Sequence, residues 1–273
     1  KGLFAMNSTT TDANAHLLIE RRGPALWLII NREARRNAIS SDVLSGISRG
    51  LDIAEANSDI RCVVLTGAGR KAFCAGGDLQ TSDPFVIDPL NPYVAAADLF
   101  RKAHRSTVPL VARVNGACFA GGMGLMAMCD LAVATETARF SLPEVRVGVF
   151  PAQVLSVLQH LLPRRALVEM CLTGEPISAV KAMELSLVNA VHVDVDVALE
   201  ELMSRLLKGS PSAIKRGLYT LKKMERMSFE ESAAFAESQI ALFALTDDAK
   251  EGVKAFMDKR VPRWCAKGGD EDV

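Results

Sequence analysis

The sequence predicts an α/β core followed by an α-helical C-terminal region, and three features point there. Over the first two thirds of the 273 residues, short apolar runs alternate with stretches of helical period. From Pro151 onward almost every segment has helical spacing. Hydrophobic residues make up 49% and charged residues 23%, so a chain of this length buries a substantial core without staples.

The elements follow in order. HLLIER (16–21) and ALWLIIN (25–31) are apolar runs separated by Arg22-Gly23-Pro24, the pattern of a hairpin. Ser40 or Ser41 can cap a helix over 42–56, with Val43, Leu44, Ile47, Leu51 and Ala54 on one face. RCVVLTG (61–67), rich in β-branched residues, is a buried strand. The following AGRKAFCAGGDLQ is expected to be a loop, as are residues 81–93 with their three prolines. Residues 94–107 have helical period, PLVARVNG is a strand, and 121–129 form a helix that begins at glycines. DLAVATE and ARFSL are two more strands. In the last third LVNAVHV (187–193) alone reads as a strand among helices, with a boundary near 195–210.

Composition excludes several classes. Lysine plus arginine equals aspartate plus glutamate at 32 each, so the chain lacks the basic excess of a non-specific nucleic-acid binder. No run of 18 uncharged apolar residues exists to span a membrane. The first fifteen residues lack the long apolar stretch of a signal peptide. The six cysteines form no CxxC pair and no histidine has zinc-site spacing. They read as buried thiols in a reducing compartment, so a cytoplasmic protein without metal or cofactor is expected.

GAGRKA (67–72) fits a dinucleotide fingerprint directly after a strand, but FCAGGD follows it where an apolar helix would be required. Two other stretches carry more chemistry: AFCAGGDL (72–79) and NGACFAGGMGL (115–125). Each follows a strand and places small residues where a helix starts. Backbone N–H groups there have no intrahelical partner, and small side chains let a ligand approach them. Two such turns facing each other would offer two donors to one oxygen, the geometry of an oxyanion hole. Two tight turns with close helix–sheet packing would have the same glycine content. In FSLPEVRVG (140–148), Glu144 stands among valines and a leucine. In an apolar site its carboxyl would exchange protons near neutral pH. On an exposed loop it would instead pair with Arg146 or Arg139.

Taken together, RRNAIS (35–40), VVLTGAGRKAFCAGGDL (63–79), PLVARVNGACFAGGMGLMAMCDLAVA (109–134), FSLPEVRVGVFP (140–151) and LTGEPISAVKAMELSLVNAV (172–191) resemble the crotonase superfamily, the enoyl-CoA hydratase/isomerase family. The resemblance implies an α/β fold, a spiral of ββα units over 12–200, with a helical trimerisation region over 201–262 and a disordered tail over 263–273. It implies acyl-CoA as substrate, a homotrimer or hexamer, and no cofactor. The N–H groups of Ala75 and Gly121 would form the oxyanion hole, and Glu144 would be the acid/base. Arg35, Arg36 and Ala38 would contact CoA, with Gly76, Gly77, Asp78 and Gly124 lining the acyl-CoA path. Phe256 and Lys259 lie where some family members reach a neighbour's CoA.

One departure bears on the reaction. The family's two-glutamate hydratases carry a first glutamate at the position that is Gly124 here. Its loss weakens simple hydration and favours an isomerase working with one glutamate. MGL (123–125) followed by SLPEVRVGVFPA resembles a subgroup of methylglutaconyl-CoA and isohexenylglutaconyl-CoA hydratases of leucine or terpene breakdown. Their substrates carry a distal carboxylate, which would help position water or be held by a basic residue such as Arg146. The expected reaction is therefore hydration of a branched 2-enoyl-CoA, with Δ3-Δ2-enoyl-CoA isomerisation or non-catalytic acyl-CoA binding as the alternatives.

Overall fold

The computed structural model describes residues 6–7, 15–78 and 94–266; the loop expected over 81–93 and residues 267–273 of the expected tail lie outside them. A short strand β1 (Met6–Asn7) pairs antiparallel with β2 (Leu17–Arg22), which forms the expected hairpin with β3 (Ala25–Ile30). Helix α1 (Ser41–Ala56) starts at Ser40, whose hydroxyl accepts the Val43 N–H. Strand β4 (Cys62–Gly67) then runs parallel to β3.

From here the chain repeats one unit. Strand β4 is followed by β5 (Ala72–Cys74) and helix α2 (Ala95–Arg105). Strand β6 (Leu110–Val114) is followed by β7 (Ala117–Phe119) and helix α3 (Gly121–Ala127). Strand β8 (Leu131–Thr135) is followed by β9 (Arg139–Ser141), a 3-10 turn over Pro143–Val147 and helix α4 (Ala152–Leu158). The long strands join one sheet and the short strands another. Helix α5 (Arg164–Thr173), strand β10 (Ile177–Ser178), helix α6 (Ala179–Glu184) and strand β11 (Ala190–His192) complete this part. The large sheet has the order β1-β2-β3-β4-β6-β8-β11, and the small one β10-β9-β7-β5. In the small sheet β5, β7 and β9 are mutually parallel.

The large sheet is covered on both faces, which explains why its strands read as continuous apolar runs. Leu26, Leu28, Ile30, Val63 and Leu65 face the main core beneath α1. Their alternates Ala25, Trp27, Cys62 and Val64 face Val195, Leu199, Leu202 and Met203 of α7 (Val195–Leu207). A domain boundary at 200/201 would thus cut a helix that seals the sheet, and the core continues to Leu207. Helices α8 (Pro211–Met224), α9 (Phe229–Ala244) and α10 (Asp247–Met257) form the C-terminal helical layer. The tail is ordered at its start as α11 (Arg263–Ala266), where Trp264 Nε1 donates to the Lys208 carbonyl at 3.1 Å.

A largely buried ion pair ties the helical layer to the core. Lys222 Nζ on α8 lies 2.8 Å from Asp130 Oδ1, with side-chain exposures of 11% and 15%. The ammonium also donates to the carbonyls of Ser106 and Ala103 at 3.0 and 3.3 Å. Asp130 Oδ2 accepts the Leu110 N–H at 2.8 Å. Burial pushes the Asp130 carboxyl up, and Lys222 opposes that shift. Removing one partner leaves an uncompensated charge, so Lys222→Met is expected to lose about 3–5 kcal/mol in urea unfolding. The double variant Lys222→Met/Asp130→Asn should lose less, because no charge is left behind.

Candidate active site

Three short parallel strands deliver the candidate groups. Strand β5 pairs with β7 through Ala72 with Ala117 and Cys74 with Cys118. Strand β7 pairs with β9 through Cys118 with Phe140 and Phe119 with Ser141. The chain leaves β5 into Ala75-Gly76-Gly77, leaves β7 into Ala120 and Gly121 at the start of α3, and leaves β9 into Leu142-Pro143-Glu144. All three candidate groups therefore emerge at the same end of one sheet. The segment read as a loop after Gly67 contains β5, too short and too glycine-rich on its flanks to show a strand period.

Two buried asparagines position β5. Asn115 Nδ2 donates to the carbonyls of Gly67 and Gly69 at 2.9 and 2.7 Å, and its Oδ1 accepts the Gly67 N–H at 3.3 Å. Asn37 Nδ2 donates to the carbonyls of Ala68 and Ala72 at 3.0 and 2.7 Å. Asn37 stands in left-handed backbone, φ 56°, beside Arg36 at φ 51°. Sequence reasoning passed over both asparagines; the NG pair at 115–116 reads as an ordinary turn signal.

The oxyanion assignment changes at one residue. The Ala75 N–H is taken up by the Arg36 carbonyl at 3.1 Å and points away from the cleft. The N–H beside Gly121 is that of Gly77: a Cβ built on Gly121 would lie 3.7 Å from it and 3.0 Å from Ile39 Cδ1. Among the described residues the N–H groups of Gly77 and Gly121 have no hydrogen-bond partner. A Cβ on Gly77 would meet nothing within 4 Å, so that side is open. Gly76 has φ +100°, and a Cβ there would strike the Ala120 methyl at 2.8 Å. Its glycine permits the close approach of the two turns. Ala120 itself has φ 49° and ψ −124°, backbone that normally requires glycine. Its N–H donates to the Ser141 carbonyl at 2.9 Å and its carbonyl accepts the Met123 N–H at 2.9 Å, which hold it there.

Glu144 sits in the turn that packs on α5. Its Oε2 is buried and has no hydrogen-bond partner. Burial pushes its carboxyl above the ordinary range, with its own backbone N–H opposing the shift. The buried Cys171 thiol lies within electrostatic range, and burial together with Glu144 raises it. Arg146 is held elsewhere: it donates to the Thr173 carbonyl at 3.2 Å and pairs with Glu175. Neither it nor Arg139, which donates to the Ala138 carbonyl, is the partner of Glu144, and Arg146 is not a free cation awaiting a distal carboxylate.

The remaining predicted residues divide. Arg35 and Arg36 are exposed and form no ion pair among the described residues, as a phosphate-binding edge would need. Ala38 is buried, donates its N–H to Arg35 and accepts Arg32 Nη1 at 2.7 Å, so it belongs to the frame of that loop. Asp78 anchors the turn after Gly77 by pairing with Arg32 at 2.7 Å, both side chains largely buried. Gly124 lines no open path, because a Cβ there would lie 2.6 Å from Phe100 Cζ. Phe256 is exposed on α10, and Lys259 follows that helix in left-handed backbone.

Two convergent N–H donors and a carboxyl of raised pKa can polarise a carbonyl and move a proton beside it. No group of three or more His, Cys, Asp or Glu able to hold a metal occurs among the described residues. Such a site, carried by parallel ββα repeats, defines a class of acyl-thioester enzymes, and comparison with known proteins gives the family. Residues 25–267 match the enoyl-CoA hydratase/isomerase family model. The chain is 34% identical to enoyl-CoA hydratase EchA19 of Mycobacterium tuberculosis over 93% of its length and 98% of that protein. It is 32% identical to the 2,3-dehydroadipyl-CoA hydratase of Escherichia coli, covering 91% and 98%. The crystal structure of an enoyl-CoA hydratase from Mycobacterium smegmatis superposes with a TM-score of 0.85 at 32% identity, covering 91% and 98%. The chain belongs to the enoyl-CoA hydratase/isomerase family and has its mixed α/β crotonase fold.

A methyl group at Gly121 would meet only the flexible tip of Ile39 but would fill the space in front of the two donors. Gly121→Ala should therefore keep its melting midpoint within a few degrees while kcat/KM on an enoyl-CoA falls on the order of 10²-fold, in line with the loss of one oxyanion interaction.

Proposed function

We propose that the protein hydrates 2-enoyl-CoA thioesters reversibly, with Glu144 as the single acid/base and the N–H groups of Gly77 and Gly121 as the oxyanion hole. The observation that carries this reading is the unpartnered, buried Glu144 Oε2 at the same sheet end as two unpartnered N–H donors. The thioester carbonyl accepts both donors, which stabilises the enolate formed when water adds at C3. Glu144 takes the proton of that water and returns one to C2. The arrangement is chemically balanced, since addition and elimination use the same carboxyl in both directions. Arg35 and Arg36 would hold the phosphates of CoA.

The acyl chain we assign to the branched glutaconyl type, as in 3-methylglutaconyl-CoA or isohexenylglutaconyl-CoA. With Gly124 offering no side chain, a carboxylate on the substrate itself would supply a second acceptor for the attacking water. A relative named for 2,3-dehydroadipyl-CoA, also a dicarboxylic acyl chain, supports this assignment. The packing of Phe100 on Gly124 favours a second reading: double-bond migration between positions 3 and 2, which needs one proton shuttle and no water.

Several apolar residues of the C-terminal helices are exposed, among them Phe229 at 81%, Leu245 at 73% and Phe256 at 86%. This supports assembly into a homotrimer or hexamer through that layer. Six free cysteines and the absence, among the described residues, of a helix long and apolar enough to cross a membrane support a cytoplasmic place.

The test offers crotonyl-CoA, 3-hexenoyl-CoA and 3-methylglutaconyl-CoA to wild type and Glu144→Gln. Hydration of the glutaconyl substrate, lowered about 10²–10⁴-fold in the variant, is the expected result. Migration of the hexenoyl double bond without hydration would instead establish the isomerase. Because water activation needs the ionised carboxyl, kcat/KM for hydration should rise with pH along a limb lying above the ordinary value of 4.5. The same shift has a stability sign. The native state holds the Glu144 proton more firmly than the unfolded chain does. Its contribution is full below the ordinary value and is lost as pH rises through the raised one. Glu144→Gln should remove that loss, so its melting midpoint changes less between pH 4 and 8 than that of wild type. Sedimentation should give three or six times the chain mass, and a monomer at micromolar concentration would count against the assembly.

A further inference from the structure

Helix α3 presents Gly121 and, three residues on, Gly124 on adjoining turns of one side. The first faces the Gly77 N–H; the second faces the ring of Phe100. A Cβ at Gly124 would lie 2.6 Å from Phe100 Cζ, 3.4 Å from its Cε2 and 3.4 Å from Val154 Cγ2. No real Cβ approaches a carbon to 2.6 Å, so ring and side chain compete for one volume, and the ring has it. Phe100 is 6% exposed, fixed on α2 beside the buried Leu99 and Ala103, while Val154 comes from α4. Residues from two helices thus close α3 one turn below the oxyanion donor with an apolar wall.

We infer that Phe100 is the residue that sets acyl-chain specificity in this enzyme: its ring, seated on Gly124 one turn below the Gly121 donor, is the wall against which the carbons beyond the thioester pack. The inference rests on the acyl-CoA site proposed above and adds to it the residue that bounds the space a branch at C3 occupies. The coupled chemistry is steric. Enlarging residue 124 pushes the ring toward the chain, and shortening residue 100 makes room for a branch.

The experiment measures binding without turnover. Dissociation constants for butyryl-CoA, isovaleryl-CoA and free CoA are determined by calorimetry for wild type, Phe100→Leu, Phe100→Ala, Gly124→Ala and Gly124→Ala/Phe100→Ala. The saturated thioesters differ by one methyl group at C3. Phe100→Ala is expected to shift the isovaleryl-to-butyryl preference about tenfold toward the branched chain, the scale of one methyl group in an apolar pocket. Phe100→Leu should shift it less in the same direction, and it serves if the alanine variant does not fold. Gly124→Ala should disfavour isovaleryl-CoA in the wild-type background and have little effect once Phe100 is alanine, while free CoA affinity stays constant throughout. A preference that stays within twofold in every variant, or an equal Gly124→Ala effect in both backgrounds, overturns the assignment. Failure of wild type to turn over any enoyl-CoA would overturn the hydratase and isomerase readings and leave the binding ratio to judge Phe100. Failure to bind either thioester would overturn both.

Discussion

The register of three very short strands governs this molecule. β5, β7 and β9 each span three residues, too few for their own ladder to fix them. Yet each ends where a candidate group begins, so a slip by one residue would turn a donor into the core. Register is instead imposed from outside. Each short strand is tied to a long strand of the large sheet by a brief connection, and Asn37 and Asn115 bind the carbonyls of the 67–72 connection. Buried and fully engaged, such amides hold one arrangement and penalise others. The Arg32–Asp78 pair performs the same service just past Gly77. The chemistry at the cleft thus depends on side chains that never face it.

This division explains what the sequence disclosed. The long strands are covered on both faces, so they appear as apolar runs, and helices such as α1 carry caps and a clear stripe. The glycine-rich turns and Glu144 were legible because small residues and a lone carboxyl in apolar company are unusual. The short strands were not, since three residues carry no period. Ala75 and Gly77 lie two apart in one small-residue run, and nothing local says which N–H faces the cleft. The Arg36 carbonyl decides it, and that contact spans 39 positions of the chain. Phe100 falls within a stretch of helical period that singles out none of its residues, and its partner at position 124 has no side chain to suggest a pairing.

The substitution of glycine at 124 is coherent with its surroundings rather than an isolated loss. A carboxylate there would need both space and a partner, and Phe100 with Val154 offer neither. Burial raises the pKa of the one carboxyl, Glu144, and among the described residues no second acid contributes to the shift. In two-carboxyl sites like-charge repulsion separates the two titrations. Here desolvation does the tuning, which makes the proton affinity of Glu144 depend on whatever occupies the cleft beside it.

Three features of the cleft are individually unfavourable: a buried carboxyl oxygen and two N–H groups without partners among the described residues, and an alanine in glycine backbone. Strain of the Ala120 kind costs about 1–3 kcal/mol and persists only where the surroundings enforce it. Their positions share a logic. The strained peptide at Ala120 leads directly to the Gly121 N–H, so the distortion aims a donor, and the unpaired groups are one acceptor and two donors at the same end of one sheet. A planar thioester carbonyl satisfies the donors in the ground state and does so better as negative charge gathers on its oxygen. The carboxyl is satisfied only when a proton is within reach. On the mechanism proposed above, these hydrogen-bonding groups are complementary to the enolate and its migrating proton, so the ligand that best engages them would be the species formed during the reaction.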